Sequence, residues 1–209
     1  MRARLALMPW SAMGVRAVFL VGFMGSGKNT IGQELACRLG WDFLDLDAQI
    51  EQRERQSIRE IFRVKGEPAF RAAETAALSD FLTNSLRRNS VVALGGGTFA
   101  VESNRASLRN WPTVFLNAPV DELWRRCEHD GRERPMRKDH DEFARLYRER
   151  IPFYREASVV IETRGREPAS ICTEIEAALR LTEASRDVPS NSSQFPAPGP
   201  ATPSSSTQS

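Results

Sequence analysis

Cysteine is scarce in this chain. Cys37, Cys127 and Cys172 are three in 209 residues, far apart and without the spacing of a metal knuckle or a redox pair. They read as buried thiols of a reducing compartment, not as a disulfide framework. Long apolar runs are also missing. None approaches the ~20 residues that cross a bilayer, which excludes a membrane-spanning helix. Arg2 and Arg4 precede a short apolar stretch, but Pro9 and Ser11 break it, so no secretory signal is read there. Neither sign of charge dominates: 29 Lys and Arg against 27 Asp and Glu leave a net +2, which gives no footprint for nucleic acid. No segment repeats at solenoid periods. The expectation is a cytoplasmic protein with neither a nucleic-acid nor a membrane partner.

What is present is organised around one core. Residues 15–183 are read as one domain, long enough to bury a proper interior. Residues 1–14 are read as a disordered extension, with Met8 or Met13 as alternative starts. From 184 to 209 Pro, Ser, Thr and Ala dominate without apolar periodicity, which predicts a disordered tail. Within the core, apolar runs at 17–21, 42–45, 90–94, 113–116 and 157–161 read as strands. Helical spacing appears after the first strand, at 48–55, 57–64 and 66–87, around Leu123, Trp124 and Cys127, and from Ile171 to Leu179. Five strands alternating with helices predict an α/β fold: a five-stranded parallel sheet with helices on both faces. Ligands of such sheets sit at the carboxyl ends of the strands.

The strongest motif lies at the end of the first strand. Gly22 and Gly27 have four residues between them, and Lys28 follows. That is the pattern of a phosphate-binding loop, which normally continues with Ser or Thr. Its backbone N–H groups, from Gly25, Ser26 and Gly27 into Lys28, Asn29 and Thr30, converge on phosphate at a helix N-terminus. Lys28 would reach the outer phosphates as a point charge. Asn29 stands where the hydroxyl ligand of Mg²⁺ is expected. Its carbonyl oxygen is a hard donor on a longer side chain, and Thr30 is about 100° further round the helix. Three readings are therefore open: Asn29 ligates directly, acts through water, or weakens the metal.

Other candidates follow at strand ends. Asp45 and Asp47 point the same way if the segment is extended, one for Mg²⁺ through water and one for a hydroxyl; a helix cap is the plain alternative. Arg71 and Glu74 share a helix face, either as a surface ion pair or as an arginine held for a carboxylate. Gly95, Gly96 and Gly97 end a strand, where three glycines would let a small ligand approach the backbone. Residues 125–150 hold nine Arg or Lys among seven acids. Most belong to a solvated helix. Arg126, Arg134 and Arg150 are singled out, Arg134 because Gly131 and Pro135 bracket it as in a mobile lid.

Taken together these residues resemble the shikimate kinase family of P-loop kinases. The resemblance rests on Gly-Phe-Met-Gly-Ser-Gly-Lys at 22–28, Leu-Asp-Leu-Asp at 44–47, Phe-Arg-x-x-Glu at 70–74, the glycines at 95–97, Arg-Pro at 134–135 and Arg-x-Pro-x-Tyr at 150–154. It implies transfer of the γ-phosphoryl of ATP to the 3-hydroxyl of shikimate by a monomer with a mobile lid and Mg²⁺. It implies Arg71, Arg150 and Gly95–Gly97 on shikimate, Asp47 on its hydroxyls, and Glu74 behind Arg71. It places Lys28 and Arg134 on the transferring phosphoryl group, Arg126 and Arg166 near the nucleotide, and Asp45 on the metal through water. Two other classes stay open on the residues: a kinase for a different polyol acid such as gluconate or an aminoshikimate, and a non-catalytic nucleotide binder marked by Asn29. RNA binding through the arginine-rich stretch is a third.

Overall fold

A computed structural model describes residues 15–85, 88–129 and 139–181. The expected N-terminal extension, the expected tail and Arg134 lie outside the described residues. The strands are β1 (Ala17–Val21), β2 (Asp42–Asp45), β3 (Ser90–Ala93), β4 (Thr113–Asn117) and β5 (Val159–Glu162). They form one sheet in the order β2-β3-β1-β4-β5, every pair parallel. The helices are α1 (Lys28–Leu39), α2 (Leu46–Glu54), α3 (Ile58–Asp80), α4 (Glu102–Ser107), α5 (Val120–His129), α6 (His140–Tyr154) and α7 (Pro168–Leu179).

Alternation along β1 explains the two cores. Val18 and Leu20 face one side with Ile31 and Leu35 of α1 and Ile171, Cys172 and Ile175 of α7. Ala17, Phe19 and Val21 face the other, against Ile50 of α2, Phe70 and Leu78 of α3, and Phe143 and Tyr154 of α6. Every β1 side chain is buried, as a central strand with helices on both faces requires. Full burial of one such aromatic or aliphatic side chain is worth about 1.5–3 kcal/mol.

Two local features set the site. The carboxylate of Asp45 accepts the N–H of Asp47 at 3.0 Å and caps α2, so one residue ends a strand and starts a helix. α3 is a single element broken at Gly66, whose φ of 79° and ψ of 172° are not helical. The sequence predicts one helix ending at Val64 and the next starting at Gly66; the structure puts the break at Gly66 itself, and Pro68 sits in the first turn beyond it, where its missing N–H costs nothing. After Asp80 the chain widens into a π-turn, Phe81–Ser85; Arg87, the predicted end, lies outside the described residues. α4 and a 3₁₀ turn at Thr98–Ala100 are elements the periodicity does not predict. Both are shorter than the windows in which a period can be read.

Candidate functional site

The chain runs from β1 to β2 on one side, and later from β3 across to β4 on the other. A crevice therefore opens at the carboxyl end of β1. There lies a cavity of about 1010 Å³ whose walls include the loop before α1, Asp45, Asp47, Arg71, Glu74, Gly96, Gly97, Arg126, Arg150 and Arg166. That is the upper end of the range for ligand sites and leaves room for two molecules side by side. All but two of the sequence-predicted residues are brought to it. Arg134 is outside the described residues, and Gly95 lies immediately behind the wall.

One end is the phosphate loop. α1 begins at Lys28, and the first intrahelical bond runs from the Ile31 N–H to the Gly27 carbonyl. The first N–H groups of a helix are not used by its own ladder, and just before it the Ser26 N–H donates to the Phe23 carbonyl at 3.2 Å. Lys28 folds over the loop and donates to the carbonyls of Gly22 at 2.9 Å and Phe23 at 3.1 Å. Ser26 is fully buried, and its hydroxyl has no hydrogen-bond partner. Arg126 of α5 donates to the Gly25 carbonyl at 3.4 Å and pairs with Glu122. Arg166 is held by the Glu162 carbonyl at 2.9 Å and by Glu174. Thr30 is exposed at the rim.

Asn29 and Asp45 meet at the centre. The amide nitrogen of Asn29 donates to one carboxylate oxygen of Asp45 at 2.5 Å, while the other oxygen caps α2. The nonstandard residue thus ties the first turn of α1 to the end of β2. The donor set is neutral and anionic oxygen, which suits a hard cation. Among the described residues no group of three or more His, Cys, Asp and Glu could hold a metal by itself.

The far end is built on the three glycines. A methyl group on Gly95 would lie 2.4 Å from an Asp47 carboxylate oxygen and 2.6 Å from one of Glu74. On Gly97 it would lie 1.9 Å from an Arg71 guanidinium nitrogen. The expected close approach is therefore made first by the protein's own side chains. Gly97 has an ordinary φ of −101°, so the requirement there is space and not backbone freedom.

Arg71 donates to Glu74 at 2.5 Å and to Glu67 at 2.7 Å. Burial opposes its charge, but the two carboxylates outweigh it and hold the guanidinium pKa above its ordinary value. Arg150 is buried and lies over the ring of Phe23, 5.8 Å from its centre, which joins the two ends of the cavity. Phe23 in turn packs edge-on against Phe143 and Tyr147. Tyr154, fully buried beneath Gly96, donates to the Gly96 carbonyl. Burial pushes its phenol up to about 12, so it stays a donor.

Thr98 and Tyr154 are the residues that sequence reading underrates. Tyr154 appears only as the last letter of a motif, and Thr98 is not singled out at all. The signal available for Thr98 was a hydroxyl directly after three glycines at a strand end.

Known proteins resemble this chain along most of its length. The sequence model of the family described as Shikimate kinase matches residues 24–180, more than half of the chain. A shikimate kinase of Halorhodospira halophila is 45% identical over 168 residues, covering 78% of this chain and 93% of that protein. One of Persephonella marina is 37% identical over 167 residues, covering 79% of this chain and all of that protein. Among solved structures, shikimate kinase from Acinetobacter baumannii in complex with shikimate superposes with a TM-score of 0.73 at 32% identity. It covers 87% of this chain and 99% of that one.

Proposed function

Because this chain belongs to the shikimate kinase family and its activity is that family's phosphorylation of shikimate, we propose an assignment of both substrates and of the chemistry to named side chains of the cavity. The readings as a gluconate or aminoshikimate kinase, as a silent nucleotide binder or as an RNA-binding protein give way to that membership.

ATP lies with its phosphates on the loop. The N–H groups of Gly25, Gly27, Lys28, Asn29 and Thr30 hold the anionic oxygens, Ser26 shapes the turn between them through its N–H to the Phe23 carbonyl, and Lys28 neutralises developing charge. Arg126 and Arg166 flank the rest of the nucleotide. Arg134 is assigned to the γ-phosphoryl group from the sequence alone. Shikimate lies on the glycine ridge, its carboxylate between Arg71 and Arg150 and its hydroxyls toward Asp47. The 3-hydroxyl oxygen attacks the γ-phosphorus, ADP leaves, and Asp47 accepts the hydroxyl proton. The observation that carries this reading is the convergence of Arg71, Arg150 and Asp47 on one ridge opposite a phosphate loop, inside one cavity. Such a site offers cations for a carboxylate and an acceptor for hydroxyls, the chemistry of a small polyhydroxylated acid. An enzyme drawing on ATP of central metabolism works in the cytoplasm, where we place it.

Asn29 and Asp45 fit Mg²⁺. An amide carries donor and acceptor on one carbon, so Asn29 can keep Asp45 through its nitrogen and offer its oxygen to the cation. Phosphate oxygens and water would supply the remaining ligands. When bound, Mg²⁺ neutralises charge on the β- and γ-phosphates. The wider amide is a poorer ligand than a hydroxyl, and Asn29→Ser lowers the Mg²⁺ concentration for half-maximal velocity by about fivefold, roughly 1 kcal/mol. Titration of both proteins with Mg²⁺ tests this; identical curves remove Asn29 from the metal. The assignment as a whole is tested by ADP release from MgATP with and without shikimate. Release that depends on shikimate, and that is lost in Asp47→Asn, Arg71→Gln and Arg150→Gln, supports it. Undiminished turnover in any of the three refutes that residue's role.

A further inference from the structure

We propose that Thr98 is a positioning residue for shikimate, acting through Glu74 on Arg71. The inference rests on the assignment of Arg71 to the substrate carboxylate and adds the residue that aims it.

Glu74 is fully buried, and each of its oxygens has one partner. One accepts the Arg71 guanidinium at 2.5 Å, and the other accepts the Thr98 hydroxyl at 2.6 Å. A buried carboxylate without donors carries a large desolvation cost, so each bond decides which way the group faces. Like charge raises the stakes. A methyl placed on Gly95 would be 2.4 Å from an oxygen of Asp47 and 2.6 Å from the Glu74 oxygen that Thr98 binds. Two acceptors thus crowd one point of the ridge, and the Thr98 hydroxyl is the donor that fixes the Glu74 side of it.

Thr98 is itself immobilised. It is fully buried and heads the 3₁₀ turn after the glycines. Its N–H donates to the Gly95 carbonyl at 3.1 Å, and its carbonyl accepts the buried Asn104 amide at 3.0 Å. The order of support is Asn104, Thr98, Glu74, Arg71, substrate carboxylate. Without the hydroxyl, Glu74 loses the bond opposite Arg71 and turns, and the guanidinium loses its fixed face toward the ridge. ATP binds at the other end of the cavity and is untouched by this chain of contacts.

The test compares Thr98→Val, which keeps the shape, with Thr98→Ser, which keeps the hydroxyl, and with Thr98→Ala should the valine variant not fold. Each is measured with shikimate and with its analogue carrying a hydroxymethyl group in place of the carboxylate. The expected result for Thr98→Val is a rise of about tenfold in KM and in Kd for shikimate, with KM for ATP and kcat within about twofold. Thr98→Ser returns to the wild-type value. The penalty vanishes for the hydroxymethyl analogue, because the group that Arg71 grips is gone. An equal loss on both substrates, a matching loss in KM for ATP, or failure of Thr98→Ser to restore binding overturns the proposal. Arg71→Gln separates the two layers: if it still prefers the carboxylate by the wild-type factor, the assignment of Arg71 fails, whatever Thr98 does.

Discussion

At the scale of single residues, the ridge at Gly95–Gly97 is where sequence and chemistry meet most tightly. Gly97→Ala puts a methyl into the Arg71 guanidinium, at 1.9 Å from a nitrogen, with no backbone strain to resist. The arginine end has to move. The expected outcome is a Kd for shikimate raised at least tenfold, roughly 1.4 kcal/mol or more, with a melting temperature close to wild type. Calorimetric titration and thermal melting check both halves. Tyr154 gives a prediction in pH. Its folded pKa of about 12 lies above the ordinary 10, so the fold prefers the neutral phenol. That preference contributes fully below pH 10 and is lost between pH 10 and 12, about 3 kcal/mol in all. Urea unfolding of wild type and Tyr154→Phe across that window measures it: the variant loses less stability per pH unit, and parallel slopes refute the account. Asn29 was legible as an anomaly, since a motif position names its own exception. Its nearness to Asp45 was expected through a shared metal, but the direct bond between the two was not, because Asp45 is sixteen residues away and its place depends on β2 pairing with β3.

At the scale of elements, the strands and the loop before α1 were legible because their signals are local: apolar runs, glycine spacing and a lysine. The break in α3 was legible for the same reason, Gly66 interrupting the period. Its φ of 79° with ψ of 172° belongs to a region reserved for glycine, so Gly66→Ala costs about 1–3 kcal/mol. For a chain of this size that is a fall of roughly 2–12 °C in melting temperature, read by thermal melting; an unchanged value means that the segment before Gly66 adapts freely. Ser57, Ile58 and Phe62 before the break line the cavity, so KM for shikimate rises with it. The 3₁₀ turn and α4 were not legible. Their conformation is imposed by tertiary bonds, Asn104 to Thr98 and Arg105 to the carbonyls of Phe99 and Ala100, which no window of sequence contains.

At the scale of the whole molecule, the catalytic unit proposed is residues 15–183. A chain ending at residue 183 is expected to keep kcat/KM within about twofold and its melting temperature within about a degree, since the composition of 184–209, rich in Pro, Ser, Thr and Ala, offers little apolar surface; steady-state kinetics on the shortened protein decides. The order β2-β3-β1-β4-β5 carries a consequence for synthesis. β1 pairs Ala17 with Ser90 on one side and Phe19 with Thr113 on the other. The loop proposed to hold ATP leaves the ribosome before β3 and β4 do, so the strand it hangs from has no neighbour until they follow. At ~5–20 residues per second the apolar run of β1 waits several seconds unpaired. A half-made chain carries the phosphate loop's letters without its shape, and nucleotide cannot help the early chain to fold.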